Sequence, residues 1–300
     1  MTERVERLRR RLASARSLRS IAGAMKALAS VRIRTFRDVV AAQRSCREVL
    51  EAGFQVALRD APALPESLEG RGDGPAPAGL LVFGSDLGLV GQFNAGIAEL
   101  AARRAAAAGE VGRVAAVGSR PVPHLRAVGL EVERVLPVAA SPDHLSELAA
   151  DLVLLVEGWR REGVERVFVA HHACGRGARY APRWRRLLPL DPVWLRRVAS
   201  RPWPTRVLPT YRAPWEPLFR YLVREQLHLS LVRAAAESQV SEHAGRLAAM
   251  ERAERRIDEH LEELGRALRD RRQEAITEEL LDLTTGYRAS EARSGHERGG

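Results

Sequence analysis

The sequence predicts an α/β protein in which two long terminal helices pair as an antiparallel coiled coil and flank an inserted open-sheet domain. Three observations predict it. All 16 prolines lie between Pro62 and Pro217. Both proline-free ends carry apolar residues at helical spacing, and the middle alternates strand-like with helix-like segments. Proline inside a helix removes a backbone donor and clashes with the preceding turn, at about 3 kcal/mol. Its exclusion from the ends lets them run unbroken. The chain divides into an N-terminal helix (1–61), a linker and α/β domain (62–217), a C-terminal helix (218–286) and a small, polar, disordered tail (287–300).

In the first segment Val5, Leu8, Leu12 and Ala15 fall at steps of three and four, and Leu18, Ile21, Met25 and Leu28 repeat them after a drift of one residue. Arg9, Arg10, Arg11, Arg16 and Arg19 lie off this seam. In the last segment Leu247, Met250, Ile257, Leu261, Leu264 and Leu268 follow a heptad seam, with Glu254 in the one missing apolar place. Ile276, Leu280 and Leu283 extend the pattern towards Gly286, read as the stop. Seams of this kind predict a left-handed coiled coil. The alternative is that each end packs on the domain as a surface helix. A helix over most of residues 3–58 is roughly 80 Å long, and a domain of this size is about 30–35 Å across, so some helix projects.

Charge is unevenly spread over the net +10. Residues 1–59 carry +9, residues 60–217 carry +3 and residues 218–300 carry −2. The two ends can pair with each other and leave positive charge for an acidic partner. Of the basic residues only Lys26 is lysine. No apolar run is long enough to span a membrane, and the charged start does not read as a signal peptide. Two distant cysteines, Cys46 and Cys174, make neither a disulfide framework nor a metal cluster.

In the middle, strands are expected at Gly79–Phe83, Arg113–Val117, Glu131–Leu136 and Arg166–Ala170, with a fifth at Thr205–Leu208. Helices are expected at Phe93–Ala108, near Pro123–Val128, and at Pro142–Arg161 with Ser141 as cap. This alternation predicts a mostly parallel open sheet. The turn Gly84 to Asn94 is rich in small residues, but its spacing is neither a P-loop nor a dinucleotide fingerprint. It reads as a tight strand-to-helix turn with Asp86 bonding local backbone. His171-His172 with Cys174 lacks a ligand partner at metal spacing. The cluster Arg176, Arg179, Arg183, Arg185 and Arg186, with Tyr180 and Trp184, reads as a solvated loop or as a surface for nucleic acid or an acidic protein. Catalytic, cofactor and metal residues are therefore expected to be none.

Three stretches together resemble the gamma subunit of F-type ATP synthases. Ile21-Ala22-Gly23-Ala24-Met25-Lys26-Ala27-Leu28-Ala29 is similar to that family's I-T-x-A-M-x-M-V-A. Ser85-Asp86-Leu87-Gly88-Leu89-Val90-Gly91-Gln92-Phe93-Asn94 is similar to S-D-R-G-L-C-G-x-F-N. Ser241-Glu242 with Arg246 and Met250, then Arg272-Gln273 through Ile276-Thr277 to Glu279-Leu280, are similar to S-E-x-x-A-R-M-x-A-M and R-Q-x-x-I-T-x-E-L. Leu87, Val90 and Thr284-Thr285-Gly286 depart from the family pattern, and Pro217–Gln239 is shortened, as in a divergent or alternative-operon branch.

The resemblance implies a Rossmann-like domain at the base of the coiled coil and a non-catalytic rotor shaft. The shaft would turn inside a ring of alpha and beta subunits. Its base would sit with the epsilon subunit on the membrane c-ring, at the cytoplasmic face of a bacterial cell membrane. Coupling contacts carried over by position are Met25, Lys26, Arg272, Gln273, Thr277 and Glu279. The competing readings are a basic coiled-coil protein that binds nucleic acid and a nucleotide-using enzyme on the middle domain.

Overall fold

The computed structural model describes residues 2–59, 61, 77–108, 111–175, 180–207 and 209–296, and within these the side chains of 2, 3, 108, 279, 282 and 286–296 are not described. Most of the 60–78 linker lies outside the described residues. Twelve elements follow in order: α1 Thr2–Arg59, β1 Ala78–Phe83, α2 Phe93–Ala108, β2 Val111–Val117, α3 Val122–Ala127, β3 Arg134–Leu136, a 3₁₀ turn Pro142–His144, α4 Leu145–Arg161, β4 Arg166–Cys174, β5 Tyr180–Leu188, α5 Pro192–Ala199 and α6 Trp215–His296. The chain forms two units, Met1–Ala27 with Met250–Gly300 and Leu28–Ala249.

The second unit is built on a five-stranded sheet of order β3-β2-β1-β4-β5. β1 pairs parallel with β2 and β4, and β2 parallel with β3. Only β5, at the edge, is antiparallel. Central parallel strands are covered on both faces and so read as continuous apolar runs, and every residue of β1 is buried. Alternation then sorts them. Leu81 and Phe83 face a core shared with α4, α1 and α6, through Leu152, Val156, Phe36 and Leu231. Ala78, Leu80 and Val82 face α2 and α3, through Ile97, Ala101 and Leu125. A third cluster joins Leu50 and Phe54 of α1 to Leu195 of α5 and Phe219 of α6. Phe36 stacks on His243, ring centroids 6.0 Å apart, and Phe54 meets Phe219 edge-on at 5.8 Å, so α1 and α6 run antiparallel here.

Four expectations need correction. The fifth strand is Tyr180–Leu188, and Thr205–Val207 is a bend whose Thr205 hydroxyl and Val207 carbonyl accept from Trp203 Nε1, both at 3.0 Å. Arginine content hid the strand's period of two: Tyr180, Pro182 and Trp184 are half-buried while Ala181, Arg183 and Arg185 are exposed. Trp184 stacks on Phe168 at 5.0 Å, and an edge strand tolerates Pro182 because one row of its donors is unpaired anyway. Second, residues 142–144 form a 3₁₀ turn, and Ser141 gives no side-chain bond to backbone; its hydroxyl meets His144 Nδ1 at 2.9 Å instead. Third, α6 runs through Gly286 to His296, so the expected tail is helical there. Glycine in a helix costs only about 1 kcal/mol, and no proline follows to enforce a stop. Fourth, the seam on α1 has a different phase, described below.

Gly118 and Gly129 separate two reasons for glycine. Both have positive φ, 91° and 81°, but a Cβ on Gly118 would sit 2.7 Å from the Ser85 backbone, whereas nothing lies within 4 Å of one on Gly129. Gly129→Ala is expected to cost about 1–2 kcal/mol from conformation alone. Gly118→Ala is expected to cost clearly more, because two backbones must separate. Urea unfolding of both variants checks the order.

Candidate functional site

In the first unit, α1 and α6 pair antiparallel: Arg19 bonds Asp258 and Lys26 bonds Glu254, so numbers rise on one helix as they fall on the other. The seam of α1 holds Leu8, Leu12, Ala15, Arg19, Ala22 and Lys26. The expected continuation through Leu18 and Ile21 is wrong in phase, while Met25 is half-buried. Ala15 and Ala22 are buried, whereas Leu18 and Ile21 are each 56% exposed. In the second unit α1 buries Ala29, Ile33 and Phe36 and leaves Leu28 exposed. Weight given to large apolar residues misdirected the reading after Ala15, where small and basic residues carry the contact. The seam on α6 stands as expected, with Met250 and Leu264 buried. Glu254 interrupts it because it faces Lys26. Gly23 leaves room for the Glu254 carboxylate, whose Oε1 lies 3.3 Å from where its missing Cβ would be.

The residues expected to act together are not together. Met25 and Lys26 lie opposite the Glu254 turn of α6, while Arg272, Gln273 and Thr277 lie 18 or more residues further on, at least about 27 Å along the helix. All three are exposed. Thr277 donates back to the Gln273 carbonyl at 2.9 Å. Glu279 lies on α6 with its side chain outside the description. Around them Ile276, Leu280, Leu281 and Leu283 are 58–66% exposed. Met25 is half-buried.

The strand-to-helix turn in the second unit is a knot of filled bonds. Asn94 Oδ1 accepts the Ser85 N–H at 3.1 Å, Asn94 Nδ2 donates to Ser85 Oγ at 2.9 Å, and that hydroxyl donates to the Leu87 carbonyl at 3.0 Å. The Asp86 carboxylate accepts the N–H groups of Ser119 at 2.8 Å and Val138 at 2.9 Å. Its bonds are thus long-range, not local as expected, and they tie together the loops at the ends of β1, β2 and β3.

His171 and His172 point to opposite faces of β4. His171 Nε2–H donates to Glu237 at 3.0 Å. His172 stacks on Phe93 at 4.0 Å, and burial, reinforced by His171, pushes its pKa down to about 3. Burial opposes the charge of Glu237, but hydrogen bonds from His171 and Arg233 outweigh it and hold that carboxyl at about 2. Glu242 and Arg246 form a buried pair at 2.6 Å. Among the described residues no group of three or more His, Cys, Asp or Glu side chains is placed to hold a metal ion.

The fold defines a two-unit protein: an antiparallel helix pair in the first unit, and in the second a mixed open sheet packed against other turns of the same two helices. The ATP synthase family model matches residues 4–289, and the chain belongs to that family. Its relatives include the ATP synthase gamma chain of Anaeromyxobacter sp. (strain Fw109-5), 27% identical over 294 residues that cover 94% of this chain and 97% of the relative. That of Moorella thermoacetica (strain ATCC 39073 / JCM 9320) is 26% identical, covering 93% and 96%. Among solved structures, the fold matches a chain of the Euglena gracilis mitochondrial ATP synthase OSCP/F1/c-ring assembly in rotational state 3, with TM-score 0.64, 16% identity and coverage of 97% and 96%. A chain of the Tetrahymena thermophila mitochondrial ATP synthase central stalk/c-ring matches with TM-score 0.53, 17% identity and coverage of 78% and 99%.

Two outcomes are expected. A double-mutant cycle on Lys26→Leu and Glu254→Leu should return a coupling of about 0.5–1 kcal/mol, since the pair is partly exposed, with the double variant no less stable than either single one. For His172, the folded pKa lies below the unfolded value, so the neutral form is needed and stability is lost as pH falls from 6.5 towards 3. Between pH 6.5 and 4.5, above the Glu237 window, wild type should lose about 2 kcal/mol more than His172→Phe. Urea midpoints at the two pH values measure this.

Proposed function

We propose that the helix pair is the rotor shaft of a rotary ATP synthase and does no bond chemistry itself. The observation that carries this reading is the inverted sidedness of α1. Small residues face its partner helix, and large apolar ones, Leu18 and Ile21, face outward. Within the first unit only Ala15, Ala22, Met250 and Leu264 are buried apolar residues among those described. A helix pair with so little interior and so much exposed apolar surface is built to be surrounded by other protein.

The surrounding partners are the alpha and beta subunits of the catalytic ring, with the epsilon subunit and the membrane c-ring at the base. Residues 1–61 and 218–286 serve as shaft and 62–217 as base. The base engages the c-ring from outside the bilayer, at the cytoplasmic face; no described helix is long and apolar enough to cross a membrane. Met25 and Lys26 make one coupling contact. Arg272, Gln273, Thr277 and Glu279 make a second, separate one further along α6. Rotation presents each beta subunit in turn with different contacts, and those differences shift its conformational equilibrium.

The test uses the chain co-expressed with cognate alpha and beta subunits. An ATP-hydrolysing complex that retains the chain on purification is expected. Ile21→Lys should leave the melting temperature of the isolated chain within about 2 °C, because the side chain is already in water. In the complex it should lower ATPase activity at least severalfold. Failure to co-purify, or unchanged activity in the variant, overturns the reading.

A further inference from the structure

In the second unit α1, β5 and α6 meet in a basic cluster that lies outside the proposed coupling contacts. Arg233 of α6 donates to Glu237 at 2.6 Å. Arg183 and Arg185 stand opposite His171 and Val169 of β4. Residues paired across antiparallel strands share a face, so both arginines lie on the side from which His171 reaches Glu237. Partial burial, then Arg233 and Arg185, lower the pKa of Arg47 on α1, against the opposing pull of Glu51 and Glu237. Arg185 is lowered in the same way, by partial burial first, with Arg233 and Arg183 adding and Glu237 opposing.

The nearby acids are already engaged. Glu237 is shared between His171 and Arg233, and Glu51 holds Arg201 at 2.8 Å. Among the described residues no carboxylate forms an ion pair with Arg47, Arg183 or Arg185. One more donor is left over: Gln43 Nε2, one turn before Arg47 on α1, is buried and makes no hydrogen bond among the described residues. A cleft of about 700 Å³, lined among others by Arg37, Arg233 and Glu237, opens beside the cluster.

We propose that Arg47, Arg183, Arg185 and Arg233 form a binding site for a phosphate-class oxyanion held between α1, β5 and α6. Gathering like charges on one face without a counter-charge costs energy by repulsion. A bound anion removes the repulsion and supplies acceptors. Guanidinium forks match phosphoryl oxygens two bonds at a time. Arg183 and Arg185 are about 7 Å apart along the strand, a span suited to linked phosphoryl groups more than to a single one. The Glu237 carboxylate disfavours approach on the Arg233 side, so Arg47 and the β5 arginines carry most of the contact. This site stands apart from the rotor reading and does not depend on it.

The test is calorimetric titration of the full chain with pyrophosphate at low salt. Saturable binding is expected, weakened at least tenfold by Arg185→Gln and by Arg47→Gln, and unchanged by Arg104→Gln on α2, which checks for diffuse charge. Circular dichroism confirms that the variants fold. A second arm sediments the chain with vesicles of phosphatidylglycerol or of phosphatidylcholine. Retention on phosphatidylglycerol alone, reversed by pyrophosphate and lost in the same variants, identifies a lipid headgroup as the source of the anion. Absence of binding in both arms overturns the site, as does binding that survives Arg185→Gln and Arg47→Gln or weakens equally in Arg104→Gln.

Discussion

Alanine and glycine on the inner face of α1 set the distance at which the terminal helices meet, and much else follows from that spacing. Ala15, Ala22 and Gly23 in the first unit, and Ala29 in the second, present almost no side chain to α6. Side chains this small leave little apolar area to bury, at about 25 cal/mol per Å², so the first unit gains modestly from its own seam. The bulky residues displaced from that seam have only one other place to go, the outer surface. Specificity of register then falls to the charged positions, where Arg19 and Lys26 meet Asp258 and Glu254. Polar groups inside an otherwise apolar seam are a well-attested way to fix register at some expense in stability.

The second unit solves the opposite problem. There α6 is covered on nearly every side between Ala234 and Arg246, and most of its polar residues are bonded, although Ser238 Oγ and Arg246 Nε are buried without a partner among the described residues. Glu237 reaches His171, Glu242 takes Arg246 and Gln239, and the Ser241 hydroxyl donates to the Glu237 carbonyl at 2.8 Å. Tyr180 lies against Gly245, where a Cβ would come within 3.1 Å of its ring. A buried polar group left unpaired costs about 1–3 kcal/mol, so most of those on this helix are bonded. β4 supplies one partner, His171, and the rest come from α6 itself, while Asp86 supplies the equivalent order where β1, β2 and β3 end.

Much of this was legible in the sequence, and the misreadings have physical causes. Exclusion of proline from the ends located both long helices, because no other residue breaks a helix so consistently. The helix Phe93–Ala108 and the four parallel strands were readable from continuous apolar runs. Edge strand β5 was not, since its exposed face is arginine and its half-buried face includes Pro182. The seam phase on α1 was missed because hydrophobic pattern was taken as a proxy for contact. That holds when a helix packs by volume and fails when it packs by closeness of backbone. The candidate coupling residues were found by resemblance alone. Nothing in residue spacing indicates that Met25 and Thr277 sit at well-separated levels of one helix pair, because that depends on how the antiparallel partners are aligned.

The lysine that closes the seam has a chemical consequence. Lys26 carries the chain's one side-chain primary amine, and that amine is engaged by Glu254 between the two helices. Amine-directed acylating reagents, which ignore guanidinium groups, therefore meet one lysine besides the chain's α-amine. Its acylation rate becomes a local gauge of how firmly the helices are zipped at that level, readable by mass in the peptide that carries Lys26 and needing no engineered label.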